Sequence, residues 1–101
     1  MYKGQPKDEQ AIARKVLKRI LAAGYGVRVH DGEELHPLTT TEAATWDNMG
    51  ETEMDRLYVY DGATRIGTIL LIWGNGEDLV SDWGWAEKVD GSETIMEGLA
   101  L

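Results

Sequence analysis

The stretch from residue 57 to residue 83 constrains the fold of this chain more than any other feature. Apolar and polar residues alternate through most of it, interrupted by an Asp-Gly-Ala-Thr segment at 61–64 and by Asn75-Gly76. A period of two is typical of a strand with different surroundings on its two faces. Asn-Gly favours a tight hairpin because glycine readily adopts positive φ. The pattern therefore predicts a three-stranded antiparallel meander.

The alternation also assigns side chains to the faces of this meander. A loop at 61–64 places Tyr60 opposite Arg65 and Tyr58 opposite Gly67, and a type I′ turn at Asn75-Gly76 places Ile72 opposite Leu79. The nearly apolar face would hold Leu57, Val59, Ile66, Thr68, Leu70, Ile72, Leu79, Ser81 and Trp83. The other, mixed face would hold Arg56, Tyr58, Tyr60, Arg65, Gly67, Ile69, Leu71, Trp73, Asp78, Val80 and Asp82.

An amphipathic helix is predicted before the meander. Pro6 suits its first turn, and Gly24 supplies a residue that can end it. Basic side chains occupy the side opposite the apolar stripe, where we expect them to be solvated or paired with acidic groups of this chain. The stripe, with spacings of three and four, consists of Ile12, Val16, Leu17, Ile20 and Leu21. This side of the helix is expected to pack on the apolar face of the sheet.

Residues 25–38 predict a hairpin turning at Asp31-Gly32. That register places His30 opposite Glu33 and His36 opposite Val27, so the two histidines lie on opposite faces and cannot share a metal. A lone His30 in an acidic hairpin offers at most a weak cation site, so no metal site is predicted.

Two short helices complete the prediction. One is expected from about Thr41 to Met49, with Thr39 and Glu42 at capping-box spacing. The other would begin near Ser92 and carry Ile95, Met96 and Leu99 on one side. We therefore predict a single α+β domain over residues 1–101: an antiparallel sheet, made of a hairpin plus a three-stranded meander, with the N-terminal amphipathic helix packed on one face.

Composition excludes several classes of function. The chain has no cysteine, so it can hold neither a disulfide nor a cysteine-ligated zinc. The longest apolar run, Ile69–Trp73, is far shorter than the roughly 20 residues of a membrane-spanning helix, and no signal peptide is visible, so a cytoplasmic protein is expected. Residues 25–101 carry 16 acidic and four basic side chains. Such a body repels phosphates, so no direct nucleic-acid binding is expected.

No motif indicates catalysis. Gly74-Asn75-Gly76 lacks the lysine of a phosphate-binding loop and precedes a strand rather than a helix. Ser81 has no histidine nearby in sequence. We therefore predict a protein without catalytic residues or a cofactor.

The mixed face is the predicted partner-binding site. Tyrosine, tryptophan and arginine dominate interface hot spots because they bury a large area and keep a polar group. The predicted site comprises Tyr58, Tyr60, Arg65, Trp73, Asp78 and Asp82. It would bind another protein or a second copy of the chain as a homodimer. Alternatively, one of the short helices covers this face and makes it part of the core.

The segment Leu70-Leu71-Ile72-Trp73-Gly74-Asn75-Gly76-Glu77-Asp78-Leu79-Val80-Ser81-Asp82-Trp83 resembles a pattern in small phage and prophage proteins of unknown function. In these, tyrosine is commoner at the positions of Trp73 and Trp83. The resemblance implies an accessory protein of a mobile element in a bacterial cytosol. An alternative function is a nucleic-acid mimic that blocks a DNA-processing or defence protein, with Glu51, Glu53, Asp55, Glu77, Asp78 and Asp82 imitating phosphates.

Overall fold

The computed structural model of the chain describes residues 5–85. Four antiparallel strands form one sheet in the order β1-β2-β3-β4, so each strand pairs with its neighbour in sequence. The α+β prediction is confirmed. The elements, in chain order, are α1 (Lys7–Ala22), β1 (Gly26–His30), α2 (Glu42–Asp47), β2 (Met54–Asp61), β3 (Thr64–Ile72), a 3-10 turn (Gly76–Asp78) and β4 (Val80–Trp85).

Helix α1 packs its apolar stripe against one face of the sheet. Ala13, Val16, Leu17 and Ile20 are fully buried. The rest of the core comes from α2, the following loop and the inner face of the sheet: Val27, Val29, Trp46, Met49, Leu57, Val59, Ile66, Ile69, Leu71, Trp73 and Leu79. Burying a single aliphatic side chain of this size contributes roughly 1.5–3 kcal/mol, so this face contains most of the fold's stabilising contacts.

Glu9 ties the start of α1 to the far end of β3. It is 3% exposed, and its Oε1 accepts a hydrogen bond of 2.6 Å from the backbone N–H of Gly74. An acidic residue in the first turn of a helix also interacts favourably with the helix dipole. Glu9 therefore stabilises the helix locally and fixes its position relative to the sheet.

A β-bulge overturns part of the predicted face assignment. Tyr60 does pair with Arg65, but Tyr58 pairs with Thr68 instead of Gly67, because the register shifts between Val59 and Tyr60. An extra residue in one strand reverses the faces of everything beyond it. The extra residue is Ile66, which stays buried. The inner face of β3 therefore holds Ile69 and Leu71, whereas Thr68, Leu70 and Ile72 point outward; their predicted faces are wrong.

At residues 25–38 the chain does return antiparallel beside β1, but the predicted turn and register are wrong: His30 faces Leu35 instead of Glu33, and Val27 faces Thr39 instead of His36. Strand β1 pairs along its length with β2, from Gly26 opposite Tyr60 to His30 opposite Arg56. On its other edge the chain makes only two isolated bridges, Val27 to Thr39 and His30 to Leu35. The connection is wider than a two-residue turn because the Asp31 side chain accepts the backbone N–H groups of Glu33 and Glu34, which bends the chain into an Asx turn.

Helix α2 forms near its predicted position with a different cap. Thr41, not Thr39, occupies the N-cap and accepts the Ala44 N–H at 3.3 Å. The Thr39 hydroxyl instead bonds to the Val27 carbonyl and to Thr45. The predicted helix from Ser92 lies outside the described residues. Among residues 5–85, no helix is long and apolar enough to cross a membrane.

Candidate functional site

We call the face of the sheet away from α1 the outer face. Residues that pair directly across neighbouring strands lie on the same face, so the strand pairing shows which residues belong to it. Arg28 pairs with Tyr58, which pairs with Thr68, and the next row contains Arg56. No side chain of this set is buried by the described part of the chain. The outer face comprises Arg28, His30, Arg56, Tyr58, Tyr60, Arg65, Thr68, Leu70 and Asp82.

The outer face carries three of the eight basic side chains among residues 5–85, and α1 carries the other five. Beyond α1, every arginine or lysine among residues 5–85 lies there: Arg28, Arg56 and Arg65. The whole chain has a formal net charge of −8. Three arginines spread over one face of an acidic protein, with Tyr58 between Arg56 and Arg65, make the local potential of that face less negative than that of the body.

The tyrosines of this face contact the arginines. The guanidinium of Arg65 lies 5.0 Å from the centre of the Tyr58 ring, within the range of a cation–π interaction. Tyr60 is the direct cross-strand neighbour of Arg65. The Arg28 guanidinium is held from the other side by a 3.0 Å hydrogen bond to the His36 carbonyl. The surface therefore presents preformed flat rings and oriented cations.

A shallow hollow of about 250 Å³ lies at the β4 side of the outer face. Its lining residues are Arg56, Thr68, Leu70, Asp82, Trp83 and Gly84. Trp83 is 49% exposed, which is unusual for so large an apolar ring. The hollow has the chemistry to accept an apolar side chain flanked by charged groups.

The structure brings four of the six predicted site residues together on one face: Tyr58, Tyr60, Arg65 and Asp82. Trp73 is only 6% exposed, so its predicted place beside Tyr58 is wrong. Asp78 is exposed but belongs to the 3-10 turn, which contacts α1, and not to the strand face. Trp73 and Asp78 leave the predicted face because the strand pairing is irregular near both ends of β3. The alternation of apolar and polar residues does not reveal such irregularities. Arg28 and Arg56 were not among the predicted site residues. The pairing of β1 with β2 brings both arginines onto the face that holds Tyr58.

Trp73 and Asp55 form a buried, hydrogen-bonded pair of side chains. Trp73 Nε1 donates to Asp55 Oδ2 at 2.7 Å, and the Gly50 N–H donates to the same oxygen at 2.7 Å. Asp55 is fully buried, and its Oδ1 has no hydrogen-bond partner among the described residues. Burial therefore raises the pKa of Asp55, although these two hydrogen bonds oppose the shift. Asp55 cannot be one of the displayed carboxylates that a phosphate mimic requires.

A second polar cluster lies in the loop after β1. His36 Nε2 is 2.8 Å from Asp31 Oδ2 and 3.8 Å from Glu34 Oε1. Sequence reasoning placed His30, not His36, among these acids, because it assumed a two-residue turn. His30 instead accepts the Gly32 N–H on its Nδ1. The signal that could have identified the wider turn is Asp31 itself, since aspartate commonly bonds the backbone two residues ahead.

Asp31 is buried yet strongly favours its ionised form. Burial alone would raise its pKa, but hydrogen bonds from the Glu34 N–H, the His36 ring and the Glu33 N–H lower the pKa of Asp31 to about 2. The carboxylate is therefore charged and fixed in orientation at neutral pH.

Comparisons with protein-family models, with curated proteins and with solved structures each find no match. The candidate sites must therefore be interpreted from the residues that form them.

Proposed function

We propose that this chain is a non-enzymatic, cytoplasmic binding module whose outer face docks an acidic surface of a protein partner. The observation that carries the proposal is the concentration of Arg28, Arg56 and Arg65 beside Tyr58 and Tyr60 on a face that the described chain leaves uncovered. Arginine and tyrosine bury large areas at interfaces while offering hydrogen bonds, so they contribute much of the affinity of such surfaces.

Charge complementarity specifies the partner's chemistry. The three arginines favour carboxylates on the partner, and the hollow around Leu70 favours an apolar side chain next to Arg56. Nucleic acid also carries negative charge, but the −8 net charge of the chain repels an extended polyanion. A short acidic segment of a protein encounters mainly the local basic face. The resemblance of residues 70–83 to small phage proteins directs the search for this partner to bacterial host proteins.

The partner's chemistry can be tested with a library of random dodecapeptides displayed on phage. Peptides that bind the full chain are expected to carry Asp or Glu on both sides of an apolar or aromatic residue. Their affinity should fall as salt rises, because the outer-face charges are screened. Arg56→Glu and Tyr58→Ala should each weaken binding by about tenfold or more, since each removes a central contact of the interface.

Lys15→Glu is the matched control, because Lys15 is an exposed cation on α1, outside the outer face. It should change peptide affinity by less than about threefold. Enriched peptides without carboxylates, or equal losses for Arg56→Glu and Lys15→Glu, would contradict the proposal. Mass in solution should remain that of a monomer. A concentration-dependent dimer abolished by Arg56→Glu would instead assign the face to self-association.

A further inference from the structure

We infer that Asp31, Glu34 and His36 bind a divalent transition-metal ion of the Zn²⁺ and Co²⁺ type. The three side chains each offer one ligand atom, and these atoms all lie within 4.8 Å of one another. The site is in the loop after β1 and shares no side chain with the outer face, although the His36 carbonyl accepts a hydrogen bond from Arg28. The inference is argued from the loop alone and does not rest on the proposed protein docking.

One donor spacing already suits a common ion, and the most exposed donor can adjust the others. Ligand atoms about 2.1 Å from one metal lie roughly 3 Å apart when adjacent and roughly 4.2 Å apart when opposite. His36 Nε2 is 2.8 Å from Asp31 Oδ2 and 3.8 Å from Glu34 Oε1. The first spacing corresponds to neighbouring ligands. The Glu34 side chain is 71% exposed, so it can move to close around an ion without disturbing the core.

The loop holds the two less mobile donors before any ion arrives. Asp31 Oδ1 accepts the Glu33 and Glu34 N–H groups at 2.8 and 2.9 Å, which leaves Oδ2 directed at His36. The Thr52 hydroxyl donates to the Asp31 carbonyl, and the His36 N–H donates to the Val29 carbonyl at 2.8 Å. Such surrounding hydrogen bonds orient metal ligands and raise affinity.

Gly32 is required for this arrangement. Its φ is +97°, and a Cβ at this position would lie 2.5 Å from the Thr52 hydroxyl oxygen. Any other residue would push Thr52 away from Asp31. The loop is therefore packed against the segment before β2, and it does not rely on hydrogen bonds among the three donors alone.

The donor set selects the class of ion. Imidazole nitrogen favours Zn²⁺, Co²⁺ and Ni²⁺ over Mg²⁺ and Ca²⁺, whereas carboxylates accept both groups. Three protein ligands leave further positions for water, and the short His36–Asp31 spacing fits five- or six-coordinate geometry better than a tetrahedron. Coordination through Nε2 requires that atom to be free of its proton, so binding should weaken as pH falls.

Titration of the full-length protein with ZnCl₂ at pH 7, followed by calorimetry, tests the inference. We expect one saturable site. The substitutions His36→Gln and Glu34→Gln should each lower its affinity for zinc by at least tenfold. Glu33→Gln is the matched control: it removes one carboxylate from the same loop, keeps the backbone N–H that Asp31 accepts, and should change affinity by less than twofold. Loading with Co²⁺ should give only a weak visible absorption, because five- or six-coordinate Co²⁺ absorbs visible light less strongly than tetrahedral Co²⁺.

Two outcomes would overturn the inference. One is the absence of saturable binding of Zn²⁺, Co²⁺ or Ni²⁺ at millimolar concentrations, which would make the Asp31–His36 contact an ordinary hydrogen bond. The other is equal weakening by Glu34→Gln and Glu33→Gln, which would indicate diffuse attraction to an acidic surface. Nuclear magnetic resonance provides a second readout, since the Cε1–H signal of the His36 ring should shift during the titration and stop shifting at one equivalent of zinc.

Discussion

Asp31 and Asp55 are both buried, 5% and 0% exposed, yet the pKa values of the two carboxyl groups are shifted in opposite directions. Both oxygens of Asp31 are hydrogen-bonded, one by two backbone N–H groups and the other by His36. Only one oxygen of Asp55 is bonded among the described residues, by Gly50 and Trp73. The pKa of Asp31 is lowered to about 2, and that of Asp55 is raised.

The comparison shows that burial alone does not decide the charge of a carboxyl group. Burial raises the pKa in both cases, and the difference comes from how many donors face the charged form. Asp31 lies in a loop whose backbone N–H groups are free to turn toward it. Asp55 lies in β2, where the ladder with Leu71 uses the backbone groups. A loop can therefore stabilise a buried charge more easily than a strand can.

The largest effect is expected from Trp73→Phe, which keeps an aromatic ring and removes the Nε1 donor to Asp55. Hydrogen bonds to charged groups contribute about 1.5–3 kcal/mol, so the free energy of unfolding should fall by about 2 kcal/mol. The loss should be greater at pH 8 than at pH 5, because removing a donor penalises the ionised form of Asp55. Urea unfolding at both pH values measures the difference.

Trp83→Phe is the control for this change. Trp83 is half exposed, and its side chain donates no hydrogen bond to a carboxylate among residues 5–85, so the substitution should cost less than about 0.5 kcal/mol. If Trp73→Phe costs the same at pH 5 and pH 8, the donor from Trp73 does not determine the ionisation of Asp55.

A smaller effect, about 1–2 kcal/mol at pH 7, is expected from Asp31→Asn. The amide keeps an acceptor for the backbone N–H groups but loses the charge that faces His36. Because the folded pKa of Asp31 is depressed, its contribution is fully present above the ordinary value of 3.8 and is lost as pH falls through about 2. The difference between the wild type and Asp31→Asn should therefore shrink below pH 4.

Urea unfolding between pH 2.5 and pH 7, with a chelator present to exclude metal effects, measures this trend. Glu33→Gln is exposed and adjacent, and its effect should stay below about 0.5 kcal/mol throughout. A difference for Asp31→Asn that persists undiminished at pH 2.5 would mean that the charge of Asp31 is not what stabilises the loop.

The sequence predicts the elements of this fold better than their registers. The stripe of α1 depends only on the spacing of apolar residues, and the structure confirms it. The face of Ile69 depends on every residue between it and the turn, so the single extra residue Ile66 reverses it. A bulge has no clear signature here, because Ile66 is apolar and both alternatives leave apolar residues on each face of β3.

The candidate sites show the same limit. Tyr58 and Arg65 share a face because Tyr58 alternates with Tyr60 along β2, and Tyr60 pairs with Arg65 between the turn and the bulge, whereas Trp73 lies beyond the bulge on β3. His36 approaches Asp31 only because side-chain hydrogen bonds widen the loop, a tertiary outcome that strand pairing rules do not contain. Local patterns thus identify which residues have useful chemistry, and three-dimensional packing decides which of them meet.

Near pH 4 the smallest effect is expected from Asp55→Asn, which tests the other member of the comparison. The raised folded pKa of Asp55 means that its neutral form favours folding; this contribution is present below the ordinary value of 3.8 and is lost as pH rises through the folded pKa. Asparagine cannot ionise, so the variant should gain stability relative to the wild type as pH rises from 3.8 through the folded pKa of Asp55, by no more than about 1.4 kcal/mol per pH unit. Asp61→Asn, the same change at the exposed end of β2, should show no such gain. If the difference between Asp55→Asn and the wild type is constant across this range, the folded pKa of Asp55 is not raised, and the contrast with Asp31 fails.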